Sequence, residues 1–332
     1  MDRRLTVLAE NLERIFNRAN GREFDYVFNC GGETRFSQED EVYKARSLSL
    51  SVALGKEAAR RKVKCFVELS TGIVYKPDAK PRKETDRLKP WLKLAKWKLQ
   101  AEEELSKIED LNLCILRLAH VYGPYTSKFL ATILCLARVY QSEESEMKWL
   151  WDRDLRVNTV HVEDVARAMW TAAEWYAKSA PKTPPPIFNI SDLGNTCEFC
   201  ISWQTPTQKL TWLFHSPAQG TVANALNEIF KIPMTFQGSI VSHFAKLHLD
   251  SVVDDLNDEI LDPWADLQAE AGVSDTSPLS PFVEKELLRD NDLSLDAGLF
   301  IKETGFQYRH PKLTKDEVED VIESYRRMNW WP

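Results

Sequence analysis

Residues 66–75 run Phe66-Val67-Glu68-Leu69-Ser70-Thr71-Gly72-Ile73-Val74-Tyr75, an apolar stretch that ends in two hydroxyls and, four residues on, a phenol. Thr71 at such a place either turns its hydroxyl outward to a ligand or closes a buried strand with a polar atom. Lys98 shares a helix face with Leu94, Ala101 and Leu105, and a lysine beside an apolar stripe needs a polar target or a path to water. It either holds a ligand, or it snorkels or pairs with Glu102 one turn on. Arg156 is of a type that reaches a phosphate or sugar acid, with an exposed ion pair as the plainer reading. His161 and Asp164 read as a local lock at a helix start, with Asp164 placed to cap the helix. Cys197 and Cys200 form a lone CxxC, and zinc would need two further ligands. His215 and His243 supply no second close pair, so no metal site is expected. A Tyr-x-x-x-Lys spacing joins Tyr308 to Lys312, but Pro311 inside it disfavours a helix.

Alternating short apolar runs and helical patterns must position these groups. The apolar run Asp25 to Asn29 ends in Cys30-Gly31-Gly32, and residues 41–61 carry Leu48, Val52 and Ala59 at helical spacing before the cations Arg60-Arg61-Lys62. Further strands are expected at Val63 to Leu69, Leu113 to Leu118, Asn158 to Val162 and Ile187 to Ile190. Helices are expected from Pro90 to Ile108, over 127–140 and from Asp164 to Ala177. Strands alternating with helices predict an α/β fold with a parallel sheet covered on both faces. After residue 219 helices and loops dominate, which predicts a smaller, mainly helical C-terminal lobe. Lys182 to Pro186 is a connector. Residues 197–218 follow neither period, and the flanking text reads on if they are removed, so they are expected to be an insertion. The domain reading is a core over 1–196, this insertion, and a substrate lobe over 219–332.

Lys and Arg number 43 against 50 Asp and Glu, for a net charge of −7, which argues against a nucleic-acid partner. No run of about 18 apolar residues predicts a membrane helix, and the first residues read as an amphipathic helix and not as a signal peptide. Six scattered cysteines fit a reduced, cytoplasmic setting. Trp91, Trp97, Trp149 and Trp151 are read as core and pocket walls, and the final Trp330-Trp331 as docked into the body, since they would otherwise be an exposed apolar patch.

Several segments together resemble the extended short-chain dehydrogenase/reductase family of the NAD-dependent epimerase/dehydratase type. Phe28 to Gly32 is similar to the strand and small-residue turn beneath the cofactor, and Phe66 to Tyr75 to the strand that ends in a Ser/Thr pair. Glu84 and Pro90 stand where an acid and a proline precede the catalytic helix. Leu116-Arg117-Leu118-Ala119-His120-Val121-Tyr122-Gly123-Pro124 resembles the Arg…Tyr-Gly-Pro segment, and Val160 to Ala168 the His-Val-x-Asp-Val-Ala signature. Phe188-Asn189-Ile190 and Thr304-Gly305-Phe306 follow in family order.

The resemblance implies an NAD(P)-binding Rossmann-type sheet and an oxidoreductase acting on a nucleotide sugar or another small hydroxyl or carbonyl compound. It implies NAD or NADP beside Cys30, Gly31, Gly32, Ser70, Lys98 and His120. Thr71 would orient the substrate oxygen, Lys98 would hold the nicotinamide ribose, and a homodimer would form through the helix within 91–105. Two departures qualify it. No Gly-rich phosphate loop precedes Asp25, so the chain is expected to lack the first strands, to leave a sheet edge uncovered and to bind the dinucleotide weakly or not at all. Leu94 stands at the catalytic tyrosine's position and has no titratable proton, so Tyr75, Tyr122 or a water would have to accept the substrate proton. The competing reading is an inactive relative that binds a dinucleotide or serves as a structural or regulatory partner.

Overall fold

Four apolar runs line up side by side because each is apolar on both faces and can be buried only between layers of helices. The computed structural model describes residues 24–178, 183–195, 219–236, 248–286 and 288–332. Strands β1 (Tyr26–Asn29), β2 (Cys65–Thr71), β3 (Leu113–Leu118) and β7 (Ile187–Ile190) form one parallel sheet in the order β1-β2-β3-β7. Alternate residues divide between the faces. Phe66, Leu113 and Ile115 pack with Ala58 and Leu105 of the helices on one side, while Val67, Cys114 and Leu116 pack with Ala168, Met169 and Ala172 on the other. This is the α/β Rossmann-type architecture expected from the sequence.

The first face is covered by two helices. Helix α1 enters as Asp40–Tyr43, passes through a π-helical stretch at Lys44–Ser49 and continues as Leu50–Arg60. Helix α2 spans Lys93–Leu105 and starts after Leu92 in extended backbone, so Pro90 lies outside it. The two approach closely at Gly55, where an added Cβ would lie 2.4 Å from Leu105 Cδ2 and 3.1 Å from Ile108 Cδ1. Helix α4 (Val162–Ala177) covers the other face, with the short α7 (Gly298–Thr304) beside it, where Phe300 stacks edge-on against Phe188 of β7.

Beyond β3 the chain leaves the sheet. A two-stranded parallel ladder pairs β4 (His120–Tyr122) with β6 (Thr159–His161). A second pairs β5 (Met147–Trp149) with β8 (Met234–Phe236). The second apolar core holds α3 (Leu130–Ser142), α5 (Gln219–Phe230), α6 (Leu249–Ala271) and α8 (Lys315–Arg327), through Leu134, Leu226, Ile260 and Val321. Helix α3 and strand β5 therefore share a core with the helices after residue 219. Trp331 is buried there against Phe230, Trp264 and Tyr325, as expected for the terminal aromatic pair.

Strands β1 and β7 are the two outer strands of the sheet among the described residues. In β1, Tyr26 and Phe28 contact Trp170, which is 52% exposed. The stretch 197–218, read as an insertion, and the segment before Phe24 lie outside the described residues. No helix among the described residues is long and apolar enough to cross a membrane.

Because Gly55 sets the spacing between α1 and α2, Gly55→Ala is expected to destabilise the fold by about 1–3 kcal/mol through overpacking. This opposes alanine's helix preference of about 1 kcal/mol over glycine. Urea unfolding measures the balance; a net gain in stability would show that the helices have room to separate.

Candidate functional site

Parallel strands expose their C-terminal ends along one edge of the sheet, and that edge is where α/β folds bind ligands. Here the ends of β1 and β2 bring together Cys30, Gly31, Gly32, Ser70 and Thr71, with Lys98 reaching in from α2. The strand register explains what lies beneath them. Asn29 sits opposite Glu68, and Ser70, Arg117 and Asn189 form one row across β2, β3 and β7. Side chains in one row of a sheet are near neighbours, so each row becomes a buried polar chain.

In the first chain, Asn29 Nδ2 donates to Glu68 Oε2 at 2.6 Å and Ser51 Oγ donates to Glu68 Oε1 at 3.0 Å. Lys98 Nζ donates to Leu69 O at 2.9 Å and to Gly31 O at 3.4 Å, and lies 3.6 Å from Glu68 Oε1. Burial pushes the Glu68 carboxyl above the ordinary carboxylate range, and the Lys98 charge pulls it back. Burial likewise raises the Cys30 thiol, again opposed by Lys98. Gly32, at φ 147°, keeps the space open: a Cβ there would lie 3.2 Å from Lys98 Nζ.

In the second chain, Arg117 Nη2 donates to Glu102 Oε2 at 2.6 Å, with both side chains almost fully buried. The Ser70 hydroxyl also donates to Glu102. Arg117 Nη1 donates to the Tyr75 hydroxyl at 2.8 Å, and that hydroxyl donates to Asn189 Oδ1 at 2.8 Å. Asn189 in turn donates from its backbone N to Glu84 Oε1 at 2.9 Å and from Nδ2 to Arg82 O at 2.8 Å.

These contacts place each residue singled out in the sequence. Lys98 is ion-paired, but its carboxylate is Glu68; Glu102, one turn along the helix, belongs to Arg117 and Ser70. The Ser70 hydroxyl is turned down into the fold. Thr71 is half-buried, and its Oγ1 accepts from Ile73 N at 3.2 Å, which starts the short 3-10 turn at Gly72–Val74. Leu94 packs half-buried against the apolar cluster of the sheet. Tyr75 is sealed in its network, and burial pushes its phenol up to about 12. Tyr122 is buried too, with its phenol raised and no hydrogen-bond partner for its hydroxyl among the described residues. Neither tyrosine can serve readily as a base.

His120 stands apart from the strand-end group. Its ring stacks on Phe129 at 4.0 Å, and burial lowers its pKa to about 4, so the imidazole is neutral. It lines a cavity of about 340 Å³, walled by Trp91, Phe129, Trp149 and Trp151 and edged by Arg156. Arg156 is half-buried, and its guanidinium makes no ion pair among the described residues. Trp91, Trp149 and Trp151 are thus pocket walls, whereas Trp97 donates from Nε1 to Asp40 Oδ1 at 2.7 Å.

The helix cap falls to a different residue from the one expected: His161 Nδ1 accepts from Glu163 N at 3.2 Å. Asp164, inside the first turn, accepts from the backbone N–H groups of Arg309 and His310 at 3.0 and 2.8 Å and from Arg167. His161, Glu163 and His310 bring ligand-type atoms within 4.8 Å of one another. Their geometry does not suit a metal ion. The imidazoles are stacked at 3.7 Å, so their in-plane lone pairs do not converge, and His310 is already bonded to Glu317 and Glu163. The Cys197–Cys200 pair lies outside the described residues.

Glu68, Asn29 and Ser51 were not singled out in the sequence. The available signal was one carboxylate inside the apolar run Phe66-Val67-Glu68-Leu69. A charge there is retained only with partners, and a lysine in reach is the natural one.

A family model described as the NAD dependent epimerase/dehydratase family matches residues 7–191. No curated protein matches the chain. Among solved structures, the chain is similar to a UDP-glucose 4-epimerase with UDP-glucose from Thermotoga maritima, at 18% identity and a TM-score of 0.60, over 95% of this chain and 81% of that one. It is also similar to a UDP-glucuronic acid 4-epimerase from Bacillus cereus in complex with UDP-glucuronic acid and NAD, at 14% identity and a TM-score of 0.58, over 98% and 81% of the two chains. A third is the Bordetella bronchiseptica enzyme WbmG in complex with NAD and UDP, at 13% identity and a TM-score of 0.59, over 96% and 77%. At these identities the likeness is one of fold.

Where β7 ends, Asp192 is buried and its pKa is raised to about 7 by burial, against hydrogen bonds from Thr159 Oγ1 and Gly194 N. The unfolded carboxyl titrates near 4. A raised folded pKa makes the contribution of this group full below about pH 4 and lost as pH rises through about 7. The stability of wild type relative to Asp192→Asn is therefore expected to fall between those values in urea melts. A difference that stays flat or grows with pH would contradict this.

Proposed function

Because this chain belongs to the NAD dependent epimerase/dehydratase family, we propose that it is an NAD-dependent oxidoreductase acting on a nucleotide sugar or another small hydroxyl or carbonyl compound. The observation that carries the proposal is the Lys98 ammonium at the C-terminal ends of β1 and β2, under Cys30-Gly31-Gly32. The nicotinamide end of a dinucleotide fits there. The residues at the strand ends are small, and Gly32 keeps side chains out of the space beside Lys98. Cys30, Gly31 and Gly32 would form the floor and Lys98 would donate to the ribose. The bound nicotinamide supplies a hydride acceptor for a carbinol carbon.

The substrate is assigned to the cavity lined by Trp91, His120, Phe129, Trp149 and Trp151. Aromatic walls suit a ring, and Arg156, which makes no ion pair among the described residues, suits a phosphate or a sugar acid. Two of the similar structures, those from Bacillus cereus and Bordetella bronchiseptica, contain NAD together with UDP-glucuronic acid or UDP, which agrees with this class of ligands. Thr71 is the residue at the strand end that can orient a substrate hydroxyl, since its hydroxyl accepts from Ile73 N and still has a proton to donate. With Tyr75 and Tyr122 sealed and Leu94 inert, a water is left to accept the substrate proton.

Leu94 also favours a second reading, a relative that binds the dinucleotide without turning over a substrate. Eleven tryptophans provide the signal to separate the two. Titration of the full chain with NADH or NADPH is expected to quench their emission only at high ligand concentration, since no Gly-rich loop precedes Asp25 to hold the phosphates. Lys98→Met is expected to weaken binding a further tenfold or more, about what loss of a charged hydrogen bond costs. Slow turnover of a UDP-sugar supports the oxidoreductase; binding with no turnover across UDP-sugars supports the second reading. Absence of any quenching removes both.

A further inference from the structure

Lys98 is the cation of the strand-end site, and its surroundings pose a question that the family resemblance does not answer. A lysine whose side chain is 12% exposed needs a counter-charge. Glu102, on the same helix face, is taken: it receives Arg117 and the Ser70 hydroxyl. The carboxylate that faces Lys98 comes from the strand below, as Glu68, which is wholly buried.

We propose that Glu68 is a positioning residue: its buried carboxylate holds the Lys98 ammonium at the ends of β1 and β2, in the place where Lys98 meets the ribose of a bound dinucleotide. This rests on the cofactor reading given above.

Four observations carry it. First, Glu68 is itself held. Asn29 and Ser51 each donate to a different carboxylate oxygen, at 2.6 and 3.0 Å, so the group cannot swing away from the lysine. Second, Lys98 lies within ion-pair distance of that carboxylate without being tightly bonded to it. Its strong bond is to Leu69 O at 2.9 Å, while the contacts to Gly31 O at 3.4 Å and Glu68 Oε1 at 3.6 Å are long. An ammonium has three protons, so one bonded anchor and two loose contacts leave a donor able to turn to a ligand oxygen while the charge pair keeps the head in place. Third, the space above the ammonium is reserved by glycine: a Cβ on Gly32 would come within 3.2 Å of Nζ and 3.4 Å of Ser47 Oγ. Fourth, the pairing follows from the strand register. Asn29 is opposite Glu68, and Leu69 follows it in β2, so the carboxylate and the carbonyl that receive Lys98 are adjacent on one strand. Burial favours the protonated form of Glu68 and the Lys98 charge opposes it, as expected of a pair that depends on both members.

The role differs from that of a ligand. Glu68 has no path to the cofactor except through Lys98, so removing it should matter only while Lys98 is present. A double-mutant cycle in NADH affinity, read by tryptophan quenching, measures this. Glu68→Gln keeps the shape and the partners Asn29 and Ser51, and it is expected to weaken NADH binding roughly tenfold. Lys98→Met is expected to weaken it at least as much, and the double variant no further than Lys98→Met alone. Losses that multiply, or a folded Glu68→Gln protein that binds NADH as wild type does, would overturn the proposal.

Thermal unfolding of the same four proteins supplies a second arm that needs no cofactor. Each single variant is expected to lower Tm, and the double variant to lower it by clearly less than the sum; additive losses would again count against the pairing. If wild type fails to bind NADH, the cofactor reading falls, and the thermal cycle alone then decides whether Glu68 holds Lys98.

Discussion

The ion pair between Arg117 and Glu102 is the interaction on which the rest of this molecule depends. It lies between the central strand β3 and helix α2, with side-chain exposures of 3% and 4%. Two charges taken that far out of water are tolerated only when every remaining polar atom has a partner. Ser70 and Tyr75 supply those partners, and Asn189 extends the chain to β7 and to the segment carrying Arg82 and Glu84. One buried pair thus ties β2, β3, β7, α2 and the connection before α2 into a single block. Glu102 lies one turn after Lys98, so the same pair fixes the height and rotation of α2 and with them the point where the Lys98 ammonium emerges. The candidate site is placed from beneath by this buried network.

Much of this is legible in the sequence. The sheet strands announce themselves because each is apolar on both faces, and the spans Leu113–Leu118 and Ile187–Ile190 match the expectation in full. Strand β6 falls within the strand expected at Asn158 to Val162, whereas β4, β5 and β8 are not marked in the sequence. Each ladder has three residues per strand and joins segments far apart in the chain, so its pairing has no local signature. Helix α2 starts later than Pro90 suggests, because Trp91 and Leu92 continue the extended entry and Leu92 is buried in the core. At the site, Lys98 and Thr71 could be placed from their motifs, but the partner of Lys98 could not. Helical spacing pointed to Glu102; the fold gives Glu102 to Arg117, whose planar fork meets a carboxylate with two N–H groups at once. Pairing across layers of a fold has no signature in local spacing. The helix-start motif failed in the same way, since His161 caps α4 while Asp164 is drawn inside to hold the 309–310 backbone.

The chemistry left to the site follows from what burial does to its titratable groups. Leu94 offers no proton. Tyr75 and Tyr122 are shut in, and burial pushes both phenols further from ionisation. His120 is kept neutral against Phe129. What stays open is a donor, Lys98, a hydroxyl, Thr71, and an aromatic-walled cavity with an arginine at its edge. That set is better equipped to bind and orient than to move a proton.

The central claim is that a dinucleotide places its nicotinamide end over the termini of β1 and β2, beside Lys98. Saturation-transfer difference NMR with NADH tests it directly, because it reports which ligand protons touch the protein. The account predicts strong transfer to the nicotinamide ring and its ribose, and its loss in a folded Lys98→Met variant. Transfer confined to the adenosine half, or nicotinamide transfer unchanged in that variant, would contradict it.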